Sequence, residues 1–330
     1  MFGRQVKGVV VETRQLGDLW PVSALTLGGG GIGQLWGETT RQECVATTRA
    51  AVDAGITLLD MAYVYGDGEA ESVVGEAFDG RLPDGVRVTT KCRLGSPPAA
   101  DTEAILFKSL EDSLRRLRLD RVDVFFLHSN IIADDYDASP YRDRPPTRWS
   151  IYANPFCTAC EKMIEKGMIG TWGITGIGVP DQIVDALDGE PGPDVVQCIA
   201  NLIDSAGELQ YFPGPTRARE LIRHAKEKGI GVMGIRAVQG GALTGVIDRP
   251  LPADHGVMAD FNRMKGYRAL AAEIGQDPAD LAHRYALTMA GVDTVVLGVK
   301  NRQELAQCVA AEAAGPLDAE TLSKIDDVVR

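Results

Sequence analysis

One local pattern recurs four times and constrains the fold more than any other feature. A helical stretch closes on a glycine and runs straight into a short β-rich segment: Ala54-Gly55 into Ile56–Leu59, Lys166-Gly167 into Met168–Trp172, Lys228-Gly229 into Ile230–Met233, and Ala290-Gly291 into Val292–Val296. Glycine just past a helix accepts the left-handed backbone that other residues resist, and a β-branched run suits a strand covered on both faces. This alternation predicts an α/β fold built on a parallel sheet. Strands are expected at 23–27, 57–61, 86–91, 122–127, 169–174, 194–199, 231–235 and 294–298. Helices are expected near 40–54, 69–79, 100–118, 154–166, 180–188, 216–228, 259–274, 278–290, 302–312 and 318–329. Eight strands with crossover helices fit a single (β/α)8 TIM barrel over residues 1–330, with function at the C-terminal strand ends. Segment 8–20 is expected to form a hairpin closing the barrel floor. The long loops 129–153 and 238–258 follow strands and are expected over the mouth.

Charge narrows the partners. Acidic residues outnumber basic ones by 46 to 34, a net charge of −12 that argues against nucleic acid or an anionic membrane as partner. Any phosphate must therefore be met by a few placed groups. No apolar run approaches the roughly 18 residues of a membrane span, and Met1–Lys7 lacks the apolar stretch of a signal peptide, so the cytoplasm is the expected location. The six cysteines show no framework spacing and read as reduced thiols, with the lone Cys157-x-x-Cys160 pair expected on a helix. His224, His255 and His283 have no partner acids at ligand spacing, and no metal site is expected.

Gly28–Gly33 contains a literal G-x-G-x-x-G after an apolar strand, the fingerprint of a Rossmann dehydrogenase. In that fold the last glycine opens a helix directly. Here the chain continues Gln34-Leu35-Trp36-Gly37 and reaches a plausible helix cap only at Thr39 or Thr40, which disfavours the Rossmann reading. The glycines fit better as a loop at a barrel mouth, where bare backbone approaches a ligand closely.

Chemistry gathers where strands end. Leu58-Leu59-Asp60 places an acid at the second strand's end, with Tyr65 in the next loop. Val88–Lys91 places a lysine at the third strand's end, and Val124–His128 a histidine after the fourth. Successive barrel strands are neighbours around one rim, so the four side chains can converge. A buried Lys91 needs Asp60 as counter-ion, and its ammonium is expected to lower the Tyr65 phenol from its reference of about 10. Tyr65 would then exchange a proton while His128 orients a carbonyl oxygen.

These residues and the run Leu59–Glu71 (LDMAYVYGDGEAE) resemble the aldo-keto reductase superfamily and its D-T-A-x-x-Y-G-x-G-x-S/A-E signature. The resemblance covers nearly the whole chain. It implies hydride transfer between C4 of a nicotinamide and a carbonyl carbon, or the reverse alcohol oxidation, with Asp60, Tyr65, Lys91 and His128 as the catalytic tetrad. It further implies Gly30, Thr175, Gln197, Arg236, Gly298, Lys300, Arg302 and Glu304 as cofactor residues. Thr175 and Gln197 would meet the carboxamide, although Gly176 lacks the amide that the family's asparagine offers. Arg236 suits the pyrophosphate, the helix opening after Asn301 offers amides to phosphate, and Lys300 or Arg302 could reach an adenosine 2′-phosphate. Family habit favours NADP(H). Glu304, standing where many members have Arg or Gln, would repel that phosphate and accept a bond from a free hydroxyl, which keeps NAD(H) open.

Trp36, Tyr63 and Trp149 are the expected substrate readers, an aromatic lining suited to a sugar, an aromatic aldehyde or a flat ketone. Trp172 lies within a strand and fits the core as well as the mouth. The partner is then a small carbonyl or alcohol compound, with the oligomeric state left open. A second class of function is a non-catalytic nicotinamide-sensing regulatory subunit, which the intact tetrad disfavours.

Overall fold

The computed structural model describes residues 10–141 and 144–329. Residues 8 and 9 of the expected hairpin, and the Met1–Lys7 segment, lie outside this range. The described chain opens on an antiparallel hairpin, β1 (Thr13–Leu16) with β2 (Trp20–Ser23), turned through Gly17 at φ +49°. Its inward residues Leu16 and Val22 pack with Leu58, Val124, Phe126, Val195 and Met233, so the hairpin plugs the barrel floor.

Above it come β3 (Leu25–Gly28), β4 (Leu58–Asp60), β5 (Arg87–Cys92) and β6 (Val122–Leu127). The loop after β6 carries a small parallel ribbon, β7 (Ile131–Ile132) with β8 (Thr147–Arg148). Strands β9 (Ile169–Thr175), β10 (Val195–Ile199), β11 (Gly231–Ile235) and β12 (Thr294–Leu297) complete the set. All pairings among the eight larger strands are parallel, and the order β3-β4-β5-β6-β9-β10-β11-β12 closes on itself. This is the (β/α)8 TIM barrel the sequence predicts, with each strand within two residues of its expected bounds.

The lumen is apolar below and polar above. Thr26 Oγ1 meets Thr294 Oγ1 at 2.7 Å, and over them sit Asp60, Thr89, Lys91 and Gln197, all buried. Fully buried hydroxyls and charges are tolerated only when they satisfy one another, so this layer folds as a network or not at all.

Three local readings are corrected. The glycine run forms one helical turn, Gly29–Ile32, and its bareness serves packing first: a Cβ on Gly31 would sit 2.0 Å from the Val299 carbonyl oxygen, and one on Gly28 2.3 Å from that of Leu297. The helix expected at 259–274 is broken at Met264 into Gly256–Arg263 and Lys265–Glu273. The helix expected from 154 begins at Trp149 and runs through a wide turn, Tyr152–Phe156, that accommodates Pro155. Cys157 and Cys160 are helical as expected, and all six cysteines are free and buried. Among the described residues no cluster of His, Cys, Asp or Glu suits a metal, and no helix is long and apolar enough to cross a membrane.

Candidate active site

Strand ends bring the tetrad together. Lys91, completely buried near the end of β5, donates from Nζ to Asp60 Oδ2 (2.9 Å), the Met61 carbonyl (2.8 Å) and the Tyr65 hydroxyl (3.3 Å). An ammonium has three protons, and each finds an acceptor. The other carboxylate oxygen of Asp60 accepts from Thr89 Oγ1 (2.6 Å) and from Gln197 Nε2 (2.8 Å), the latter reaching across the lumen from β10. His128, whose backbone N–H bonds the Cys92 carbonyl at 2.8 Å, stands edge-on to Tyr65 with ring centroids 5.8 Å apart. Its Nδ1 is buried with no hydrogen-bond partner among the described residues.

Electrostatics assign each group a state. Burial disfavours the Lys91 ammonium, but Asp60 and Tyr65 more than offset it and the net shift is upward, so Lys91 is charged. Burial, then the charges of Lys91, Arg93 and Arg144, hold His128 well below its usual 6.5, so the imidazole is neutral. The expected lowering of Tyr65 does not occur: burial pushes the phenol above 10, and Lys91 offsets this only in part. Tyr65 therefore holds its proton at neutral pH.

A cleft of about 650 Å³ opens from this cluster along the barrel mouth. Asp60, Tyr65, His128, Thr175 and Gln197 line its inner end, with Lys91 beneath. Gly30, Trp36, Arg236, Gly298, Lys300 and Glu304 line the arm that leads outward. Trp36 lies over the glycines, its Nε1 placed 2.3 Å from where a Gly30 Cβ would be.

Three expected residues lie elsewhere. Arg302 occupies the first turn of the helix Arg302–Ala313 and turns away to a two-point pairing with Glu43 (Nε–Oε1 3.0 Å, Nη2–Oε2 2.8 Å). Trp149 packs on Tyr152 at 5.4 Å, part of an aromatic stack with Phe156 and Trp172 in the core. Tyr63 sits two residues before Tyr65 in a tight turn, and only Tyr65 reaches the cleft. Three of the amides at this helix entry are also taken: Arg302 N–H by Glu43 (3.0 Å), Glu304 N–H by Asn301 Oδ1 (2.9 Å) and Lys300 N–H by Glu304 (3.0 Å).

Further groups escaped the sequence reading. Arg249 stacks over Trp36, 5.0 Å from its ring, and Glu208 grips Arg236 through Nη1 (3.1 Å) and Nη2 (2.8 Å). Arg93 and Arg144 line the inner end. Arg93 alone carried a signal, two residues beyond Lys91 at a strand exit; the others lie in loops whose paths sequence does not fix.

A model of the Aldo/keto reductase family matches residues 24–330. L-galactose dehydrogenase of Arabidopsis thaliana is 26% identical over 327 residues, covering 97% of this chain and 94% of that protein. A probable voltage-gated potassium channel subunit beta of Oryza sativa subsp. japonica is 25% identical and covers 88% of each chain. Among solved structures, an aldo-keto reductase from Bacillus halodurans in its holo form superposes with a TM-score of 0.70 at 23% identity, over 97% of both chains. An aldo-keto reductase from Klebsiella pneumoniae in complex with NADPH superposes with a TM-score of 0.69 at 23% identity, over 96% of this chain and 95% of that one. With a family match over nearly its full length and the matching barrel, the chain belongs to the aldo/keto reductase family, an oxidoreductase family.

Proposed function

We propose that this protein reduces the carbonyl of a small molecule with NADP(H), or runs the reverse oxidation, using Tyr65 as general acid and base. The observation that carries this reading is the three-way contact of a buried, charged Lys91 with Asp60 and the Tyr65 hydroxyl at the inner end of the cleft. The cleft also fits a dinucleotide. Its inner end offers the Thr175 hydroxyl and the Gln197 amide, and its outer arm offers Trp36 with Arg236, Arg249 and Lys300.

A reduced nicotinamide, when bound, supplies the hydride to the carbonyl carbon. Tyr65 gives its hydroxyl proton to the carbonyl oxygen, forming the alcohol. Lys91 stabilises the phenolate left on Tyr65, and Asp60, held by Thr89 and Gln197, keeps Lys91 in register. Neutral His128 would hydrogen-bond the substrate oxygen and fix it before Tyr65. Arg236 and Lys300 would hold the cofactor phosphates once Glu208, Asp248 and Glu304 share them. NADP(H) is the expected cofactor, in line with the NADPH-bound Klebsiella pneumoniae structure.

Titration with NADPH and NADH by fluorescence, followed by turnover on aldehydes and ketones, tests the reading. Tyr65→Phe is expected to lower kcat at least 100-fold while NADPH affinity changes less than threefold. Full activity in Tyr65→Phe would remove Tyr65 from the mechanism. Tight NADPH binding with no turnover would instead favour a non-catalytic nicotinamide-sensing regulatory subunit; one relative is named a probable voltage-gated potassium channel subunit beta.

A further inference from the structure

Carboxylates outnumber cations in this chain, and the cleft follows suit along its outer arm. Arg236 is held by Glu208, while Lys300 reaches Asp248 at 2.7 Å and Glu304 at 2.6 Å. Arg249 donates to the Gly240 carbonyl at 2.7 Å and lies 3.4 Å from Asp248. Two cations break the pattern. Arg93 and Arg144 line the inner end beside Tyr65 and His128, and among the described residues neither guanidinium has an ion pair or hydrogen bond.

Their closeness is built in. The loop bearing Arg144 is stitched to the exit of β5 by Thr147 Oγ1 to the Gly95 carbonyl (2.8 Å), Ser96 Oγ to the Pro146 carbonyl (2.7 Å) and the Arg148 N–H to Ser96 Oγ (2.9 Å). Pro145 packs on Gly95, its Cγ 3.3 Å from where a Cβ would lie. Arg93 and Arg144 are therefore fixed as neighbours, both half-buried. The price in repulsion is visible on Arg93, whose guanidinium is disfavoured first by burial and then by Arg144. Like charges pinned together with no counter-ion among the described residues favour an anion between them. A guanidinium fork matches the two oxygens of a carboxylate or phosphate.

We propose that the substrate is an anionic carbonyl compound, whose carboxylate or phosphate is held by Arg93 and Arg144 while its carbonyl lies at Tyr65 and His128. This deepens the reductase reading and rests on it. Of the aromatic readers expected from sequence, Trp36 lines the cleft while Tyr63 and Trp149 do not.

The test uses the full chain, NADPH and matched substrate pairs. These are succinic semialdehyde against butanal, 4-carboxybenzaldehyde against benzaldehyde, and glyceraldehyde 3-phosphate against glyceraldehyde. At least one charged member is expected to exceed its neutral partner in kcat/KM by about tenfold or more, and the carboxylate and phosphate pairs separate the two kinds of anion. Arg93→Gln and Arg144→Gln are each expected to cut that charged-to-neutral ratio at least fivefold, through KM, with Arg93→Lys retaining part of it. Raising KCl from 50 to 300 mM is expected to lower the wild-type ratio, a readout that needs no variant. Turnover of neutral aldehydes with no anionic advantage in any pair overturns the proposal and leaves the reductase reading standing. An advantage that both glutamine variants leave unchanged overturns the assignment to these arginines. No NADPH oxidation with any member of the panel removes the reductase reading and this inference with it.

Discussion

Asp60→Asn isolates one charge in the barrel lumen. The asparagine keeps an oxygen for Thr89 and Gln197 but presents its amide to Lys91 in place of the oxygen 2.9 Å away. Lys91 retains only the Met61 carbonyl and Tyr65, with no exposure to water. Removing one partner of a buried pair costs about 3–5 kcal/mol. Unfolding entropy near the midpoint is about 2.1 cal/mol/K per residue, so roughly 0.7 kcal/mol/K for 330 residues, and the melting temperature should fall about 4–7 °C at pH 7. The pH dependence separates this from a packing defect. In the native protein the Lys91 pKa is raised, so its contribution is complete below the unfolded value of about 10.4 and is lost as pH rises through the folded value. In Asp60→Asn burial acts unopposed by the carboxylate and the folded pKa drops below the unfolded one. The folded state then binds fewer protons, and stability rises with pH across that interval. Circular-dichroism melts at pH 7 and pH 9.5 should show a deficit that shrinks at the higher pH. A deficit under 1 °C, or one equal at both values, would refute a charged Lys91 held by Asp60.

Two further outcomes follow from the site's electrostatics. Because His128 is neutral from well below pH 6.5, kcat/KM for carbonyl reduction should show no step near 6.5 that His128→Asn removes, and should fall only as Tyr65 loses its proton above pH 10. A step near 6.5 abolished by that variant would contradict the neutral imidazole. Glu304→Gln relieves Lys300 of a carboxylate 2.6 Å away, a partly buried contact of about 1 kcal/mol, so the ratio of NADPH to NADH affinity should rise roughly fivefold. An unchanged ratio in fluorescence titrations would place Glu304 outside cofactor discrimination.

The barrel was legible because its signals are local. Gly55, Gly167, Gly229 and Gly291 all take positive φ, and each is followed closely by a barrel strand. The convergence of Asp60, Tyr65, Lys91 and His128 was legible for a related reason, since a polar residue ending an apolar strand has few places to go but the rim. What failed was direction within loops and turns. Tyr63 and Tyr65 share a turn yet one faces away, and Arg302 lies one residue past a helix cap where Glu43, distant in sequence, captures it. The Tyr65 shift was misjudged because a neighbouring charge can be read from sequence while the burial that outweighs it cannot. Arg93 and Arg144 become neighbours only through the Thr147–Gly95 and Ser96–Pro146 bonds, which no spacing rule foretells.

The hairpin of β1 and β2 has a bearing on turnover as well as on folding. Leu16 and Val22 pack across the lower lumen, and among the described residues the cleft at the mouth is what leads from the layer of Asp60, Lys91 and Tyr65 to bulk water. A dinucleotide lying along the cleft would cover that route. On the proposed mechanism the interior would behave as a closed proton compartment, and Tyr65 would regain its proton only after a product or the cofactor departs. Recharging of the acid would thereby be tied to release, resetting the site for one further turnover.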